Sequence, residues 1–143
     1  MDITQMDTGQ ELSPLVKPPI TQEQLRRYAE ASGDYNPIHL DEEAAHRVGL
    51  DSVIAHGMLS MAFLGQFVTQ HVKDIPDARL THLKVRFMNM VRLGDTLTCL
   101  GAIKNRKIDD NGQTSISIEC WVQNQKGDKV TVGEAIVVVP STP

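Results

Sequence analysis

Between residues 57 and 72 the side chains of Met58, Leu59, Met61, Ala62, Phe63, Leu64, Phe67, Val68 and Val72 cover nearly the whole circumference of a helix. A helix with one apolar stripe rests on a core, whereas one that is apolar almost all round must be enclosed. The rest of the chain therefore has to supply the enclosure. Downstream it reads as strands, over 80–89, 96–107, 114–123 and 129–139, with hairpin signals at Asp109-Asp110-Asn111-Gly112 and Lys126-Gly127-Asp128. Ser115, Ser117 and Glu119 alternate with Ile116, Ile118 and Cys120, the pattern of a sheet with one solvated face.

Upstream, residues 12–16 read as a first edge strand closed by Pro18-Pro19. Thr21 and Gln24 form a capping box for a helix with Leu25, Tyr28, Ala29 and Ser32 on one face and Gly33 at its end. A short helix over 41–48 follows, with Asp41, Glu42 and Glu43 in its first turn, where the macrodipole favours negative charge, and Gly49 as its stop. One strand, a long buried helix and four consecutive antiparallel strands predict an α+β fold in which an antiparallel sheet wraps a long central helix. That order is a single hot-dog fold, expected to span residues 1–143 as one domain. The sheet leaves an edge strand and an apolar rim, so a homodimer is expected.

A chain of 143 residues buries about two thirds of its unfolded surface in one core, and no apolar run approaches the roughly 18 residues of a membrane span. Residues 1–12 are acidic and polar, unlike a secretory signal or a transit peptide, which makes the cytoplasm the expected compartment and a membrane partner unexpected. Cys99 and Cys120 lie in apolar strand-like stretches without CxxC spacing and read as reduced core thiols. The net charge of −4 argues against nucleic-acid binding. Residues 1–60 hold four basic and ten acidic side chains, and residues 61–143 hold ten and eight. A phosphate-bearing ligand would thus look to Lys84, Arg86, Arg92, Lys104, Arg106 or Lys107; the plain alternative is that these are solvated strand-face charges.

The run Gly33-Asp34-Tyr35-Asn36-Pro37-Ile38-His39 places a carboxylate and an imidazole, two proton-shuttling groups, in one short segment. Pro37 lacks an N–H and holds Asn36 out of the α region, so the segment must turn, and a turn can aim both side chains at one spot. Asn36 is expected to shape that loop through an Asx-turn. Taken singly, Asp34 is a turn aspartate and His39 a core histidine; together they form an acid/base pair. His56-Gly57-Met58 opens the central helix, whose first amides lack intrahelical partners, so Gly57 can stabilise a developing oxyanion or else serve as a packing glycine. Asp34, Asn36, Ile38 and His39 fail as a calcium loop, the five histidines lack zinc spacing, and Ser60 lacks a nucleophile setting. No metal is expected.

The stretch from Tyr28 through Asp41, with Gly49-Leu50, Ile54-Ala55-His56-Gly57-Met58-Leu59 and, more weakly, Val85-Arg86-Phe87 and Val91-Arg92-Leu93-Gly94-Asp95-Thr96-Leu97, resembles the MaoC-like dehydratases, the family of (R)-specific enoyl-CoA hydratases. The resemblance implies reversible hydration of a trans-2-enoyl thioester, on coenzyme A or acyl carrier protein, to the (R)-3-hydroxyacyl product without cofactor. It makes Asp34 and His39 the dyad and the Gly57 amide the oxyanion donor. Asn36, Tyr35, His56 and Ser60 become substrate-binding or supporting, Ser60 as the counterpart of a helix hydroxyl in some relatives. Many relatives carry proline where Met90 stands. A hot-dog thioesterase would place a carboxylate on the central helix, where residues 57–72 have no Asp or Glu. A non-catalytic acyl-binding subunit, or a dehydratase needing a partner subunit, is the other alternative; non-catalytic subunits tend to lose the dyad, and this chain keeps it. Tyr35, Met58, Met61 and Phe63 are candidate acyl-tunnel residues, against the plainer reading as core.

Overall fold

Four long strands carry the architecture because their apolar residues alternate with polar ones. In the computed structural model, which describes residues 2–141, these are β2 (Arg79–Phe87), β3 (Thr98–Ile108), β4 (Thr114–Gln123) and β5 (Lys129–Val139), preceded by a two-residue β1 (Leu15–Val16). They form one antiparallel sheet in the order β1-β3-β4-β5-β2. Its inner face presents Cys99, Ile103, Ile116, Ile118, Cys120, Val122, Ala135 and Val137, all buried. Outside lie Lys84, Lys104, Glu119 and Glu134, with Lys104 Nζ 2.9 Å from Glu134 Oε2.

Three helices complete the fold: α1 (Gln22–Ser32), α2 (Glu42–Arg47) and α3 (Gly57–Gln70). Thr21 caps α1 by accepting from the Gln24 amide, and Asp41 caps α2 by accepting from Glu43. The sheet curls around α3, whose Leu59, Phe63, Leu64, Phe67 and Val68 are buried. This is the hot-dog arrangement expected from the order of elements. Phe67 marks the closest approach: a Cβ at Gly101 would lie 2.9 Å from its ring and 2.9 Å from the Glu119 carbonyl, so only glycine lets helix and sheet meet there.

Two expectations are corrected. The first strand does not run over 12–16: only Leu15 and Val16 pair with Thr98 and Cys99, with one isolated bridge at Glu11, because Pro14 interrupts the row of amides. The central helix is enclosed on fewer sides than its apolar circumference suggests. Met58 is 54% exposed, and Ala62, Gln66 and Thr69 continue an exposed stripe along the side the sheet does not reach. Cys99 and Cys120 are buried free thiols, as expected, and burial pushes each up to about 12.

At Gly133 a Cβ would collide with the Lys84 carbonyl and sit 2.9 Å from Val85 Cγ1, both on the neighbouring strand, whereas at Gly65 in α3 there is open space. Gly133→Ala should therefore destabilise the protein by roughly 1–3 kcal/mol, as overpacking does, while Gly65→Ala should stabilise it by about 0.5–1 kcal/mol. Chemical denaturation of the two variants checks the opposite signs.

Candidate active site

The loop after α1 is built from successive local hydrogen bonds. Gly33 takes the left-handed conformation (φ 78°), and its N–H donates to the Ala29 carbonyl to close the helix. The Asp34 amide then donates to Ser32 Oγ (3.2 Å), the Asn36 amide to Asp34 Oδ1 (3.1 Å) and the Ile38 amide to Asn36 Oδ1 (3.2 Å). Each short polar side chain thus turns the backbone two residues on, and Pro37 begins a single 3-10 turn, Pro37–His39. With Oδ1 held, Asp34 Oδ2 faces His39 Nε2 across 4.0 Å. The Asp34 side chain is half exposed, and His39 is buried.

The other nitrogen of His39 fixes its chemistry. Nδ1 lies 2.7 Å from the Ile54 carbonyl. A carbonyl only accepts, so Nδ1 carries the proton and the bare nitrogen of the neutral ring is Nε2, the one turned toward the carboxylate. The gap between Nε2 and Oδ2 is too long for a direct hydrogen bond and wide enough for one water oxygen at about 2.8 Å from both.

His56, the N-cap of α3, touches both groups. Its Nε2 donates to the Asp34 carbonyl at 3.0 Å, and its ring stacks on His39 with centroids 3.9 Å apart and planes at 26°. Tyr28 from α1 packs on the same ring at 4.8 Å. Burial holds the His56 imidazole below its ordinary 6.5, an effect opposed by the bond to Asp34. The Tyr28 phenol is pushed up, by burial first and by the Asp34 carboxylate second.

His56 makes no side-chain cap, so although the Leu59 amide donates to the His56 carbonyl at 3.1 Å, no side chain caps the Gly57 and Met58 amides that open α3. Gly57 and His56 line a cavity of about 390 Å³ whose other walls include Ser60, Phe87, Met88, Met90 and Thr131. Ser60 Oγ donates to the Gly57 carbonyl at 2.8 Å and lies 2.6 Å from Thr131 Oγ1, so Thr131 is the donor in that pair. The two hydroxyls join the first turn of α3 to β5. A Cβ at Gly57 would meet the Phe87 ring at 3.4 Å, within the cavity but without a clash.

The structure thus brings Asp34, His39 and His56 together and sets His56, Gly57 and Ser60 along one cavity whose lining does not include Asp34 or His39, with Asn36 shaping the loop. Tyr35 stands 59% exposed, Phe63 is core beneath Lys17 Nζ, and Met58 is on the exposed stripe of α3. None of Tyr35, Met58, Met61 and Phe63 lines the cavity beside Gly57; Phe87, Met88, Met90 and Thr131 take that place. Sequence reasoning missed Met88, Thr131 and Tyr28 as site residues and met Phe87 and Met90 only through the family resemblance, since their placement depends on long-range pairing; a local signal is the apolar run at the end of β2, where Phe87, Met88 and Met90 stay about half exposed. Of the cations expected for a phosphate, Arg106 is spent on the Ile3 and Met6 carbonyls and Lys104 on Glu134.

Spacing along the chain did not reveal that Asp34, His39 and His56 converge, with one potential ligand atom from each within 4.8 Å of the others. The set does not suit a metal ion. The two imidazoles are stacked nearly parallel, so their in-plane lone pairs run side by side instead of meeting at one point.

The profile of the family described as MaoC like domain matches residues 4–134, and the chain belongs to that family. The (R)-specific enoyl-CoA hydratase of Rhodospirillum rubrum is 30% identical over 122 residues, 85% of this chain and 81% of that protein. The mitochondrial 3-hydroxyacyl-[acyl-carrier-protein] dehydratase of Arabidopsis thaliana is likewise 30% identical over 120 residues, 83% of this chain and 70% of that protein. The solved (R)-hydratase from A. caviae involved in PHA biosynthesis shares the fold with a TM-score of 0.82 at 24% identity, over 95% of this chain and 98% of that one. In other relatives, such as the fatty acid synthase subunit beta of Schizosaccharomyces pombe, the matching region is 5% of the protein. No helix among the described residues is long and apolar enough to cross a membrane.

Because His56 holds its proton less well folded than unfolded, the unfolded chain is protonated first as pH falls. His56 therefore costs nothing well above 6.5 and withdraws stability below that value. The thermal midpoint should fall between about pH 7.5 and about pH 5.5, and fall less in His56→Gln. Parallel slopes in the two proteins would contradict a buried neutral His56.

Proposed function

We propose that the protein reversibly hydrates trans-2-enoyl thioesters of coenzyme A to (R)-3-hydroxyacyl thioesters. The observation that carries this reading is the 4.0 Å gap between two proton acceptors, Asp34 Oδ2 and His39 Nε2, beside a cavity that opens on the first turn of α3. A water donating to both is held with its oxygen lone pair free. As that oxygen bonds to C3 of the substrate, one proton passes to the dyad, the C2–C3 π pair shifts toward the thioester, and the enolate oxygen accepts from the Gly57 amide. Collapse of the enolate takes a proton from the dyad onto C2, on the same face, and regenerates both groups. The two acceptors act as one coupled unit, so base and acid are roles of the pair.

A dehydratase acting on carrier-protein thioesters is supported by one specific observation: the acyl-carrier-protein dehydratase and the enoyl-CoA hydratase match this chain at the same 30% identity. Both carriers are anionic. Arg92, next in the chain to the cavity wall at Val91, is the cation best placed for either, whereas Arg86 lies on the outer face of the sheet with Lys84 and Lys104. The exposed Met58 of α3 and the edge of β2, which has no neighbour among the described residues, support a homodimer as the working form.

With a short trans-2-enoyl-CoA, the conjugated-thioester absorbance should fall and an (R)-3-hydroxyacyl product should accumulate. Asp34→Asn and His39→Gln should each lower kcat by about 10²–10⁴-fold, the usual contribution of a positioned acid or base. Gly57→Ala should stay folded and lose turnover, because its methyl occupies the cavity beside the helix amides. Absence of turnover on the coenzyme A ester with turnover on the carrier-protein ester would select the dehydratase reading; wild-type rates in Asp34→Asn would refute the dyad. The chain alone should elute at twice its own mass, and an insoluble or sticky monomer would point to a separate partner subunit.

A further inference from the structure

One buried group at this site has surroundings that the proton transfers do not explain. His56 is 2% exposed, and its ring is held between Tyr28 at 4.8 Å and His39 at 3.9 Å. Its Nε2 donates to the Asp34 carbonyl at 3.0 Å, and its Nδ1 has no hydrogen-bond partner among the described residues. A single imidazole therefore contacts both members of the dyad, one through its peptide and the other through its ring face.

These contacts remove specific freedoms. Face-to-face packing prevents His39 from tilting out of its plane, and the bond from its Nδ1 to Ile54 prevents it from turning within that plane. The Asp34 peptide is held by His56 at its carbonyl and by Ser32 at its amide, so the carboxylate is carried on a fixed base. The titratable groups facing His56 are Asp34 and His39 from the loop and Tyr28 from α1. A second proton on His56 would sit on a buried nitrogen with no acceptor, against another imidazole and an aromatic ring, and that is the costly place for a charge.

We propose that His56 is a positioning residue for the Asp34/His39 pair: its Nε2–H fixes the Asp34 peptide, its ring face fixes the plane of His39, and its orphaned Nδ1 leaves His39 as the ring of the stacked pair that receives a proton. The catalytic consequence rests on the hydratase reading; the geometric device does not. When Nε2 of His39 takes the proton of the attacking water, the new cation already donates from Nδ1 to the Ile54 carbonyl and lies against the face of a neutral imidazole, so no group has to reorient.

Two variants separate the parts, since His56→Phe keeps a ring on His39 and loses the donor, while His56→Gln keeps a donor and loses the ring. Each should lower kcat by roughly 10–100-fold with KM little changed, the scale expected when reacting groups are displaced rather than removed. Nitrogen NMR of the imidazoles supplies a readout independent of turnover. In the wild type His56 should be the Nε2–H tautomer and titrate below its ordinary 6.5, with His39 as the Nδ1–H tautomer. In His56→Gln, His39 should keep the proton on Nδ1, which Ile54 holds, and lose the ring-current shift that the stacked His56 imposes on its ring protons. A wild-type His56 that is charged or carries its proton on Nδ1 overturns the inference even if neither variant folds, and so do folded variants with normal kcat or, in His56→Gln, unchanged His39 ring shifts. Should the wild type show these tautomers and yet hydrate no enoyl thioester, the hydratase reading fails and the device stands.

Discussion

Ile54 and Ala55 form the hinge point on which the site depends. The Ile54 carbonyl accepts from His39 Nδ1, its amide donates to the Ile38 carbonyl at 3.1 Å, and the next amide, Ala55, donates to the Val91 carbonyl at 2.8 Å. Two residues of extended chain thereby tie the dyad loop on one side to the segment following β2 on the other, and they lead directly into the first turn of α3. Every component of the proposed chemistry hangs on this crossing. The tautomer of His39 comes from Ile54, the direction of the helix amides comes from the chain that follows Ala55, and the cavity wall at residues 88–91 is held against it.

Around that crossing the protein accepts local destabilisation. A histidine is buried neutral with one nitrogen unpartnered, and glycine stands at Gly57 where a methyl would fit. Neither feature helps the fold. A buried polar atom without a partner costs on the order of 1–3 kcal/mol, and glycine early in a helix adds backbone freedom to the unfolded chain. Both concentrate where the backbone amides of α3 and the ring faces of two imidazoles meet, which is the pattern expected when site geometry is maintained by the surrounding structure.

What could be read from the chain was what local chemistry determines. Thr21 announces its cap, Gly33 the end of its helix, and Asn36-Pro37 the turn that brings Asp34 to face His39; each acts within four residues and each is present, while Asp41, expected in the first turn of its helix, stands just before it as the cap. The order of strand, buried helix and four strands was equally legible, because periodicity survives without knowledge of partners. Long-range placement was not. Thr131 meets Ser60 across 71 positions, and Phe87 reaches Gly57 only because β2 pairs with β5 in one register. Tyr35 and Phe63, chosen for their character and proximity in sequence, point to solvent and to core respectively. Pro14 carried a readable warning against a strand over 12–16, since a residue without an amide cannot continue the ladder.

The same strand that shapes the cavity also leaves the sheet unfinished. β2 lies at the end of the order β1-β3-β4-β5-β2, so one of its edges has no neighbour among the described residues, and its last residue, Phe87, is the wall facing Gly57. A nine-residue edge strand is long enough to recruit another strand, and Met58 is exposed on the side of α3 that the sheet does not cover. A second copy paired at that edge would restrain β2 and the 88–91 segment that follows it. Because Val91 is bonded to Ala55, this restraint would pass straight to the crossing at Ile54 and from there to His39. Assembly at that edge would therefore be coupled to the orientation of the dyad through two hydrogen bonds, Ala55 to the Val91 carbonyl and His39 Nδ1 to the Ile54 carbonyl.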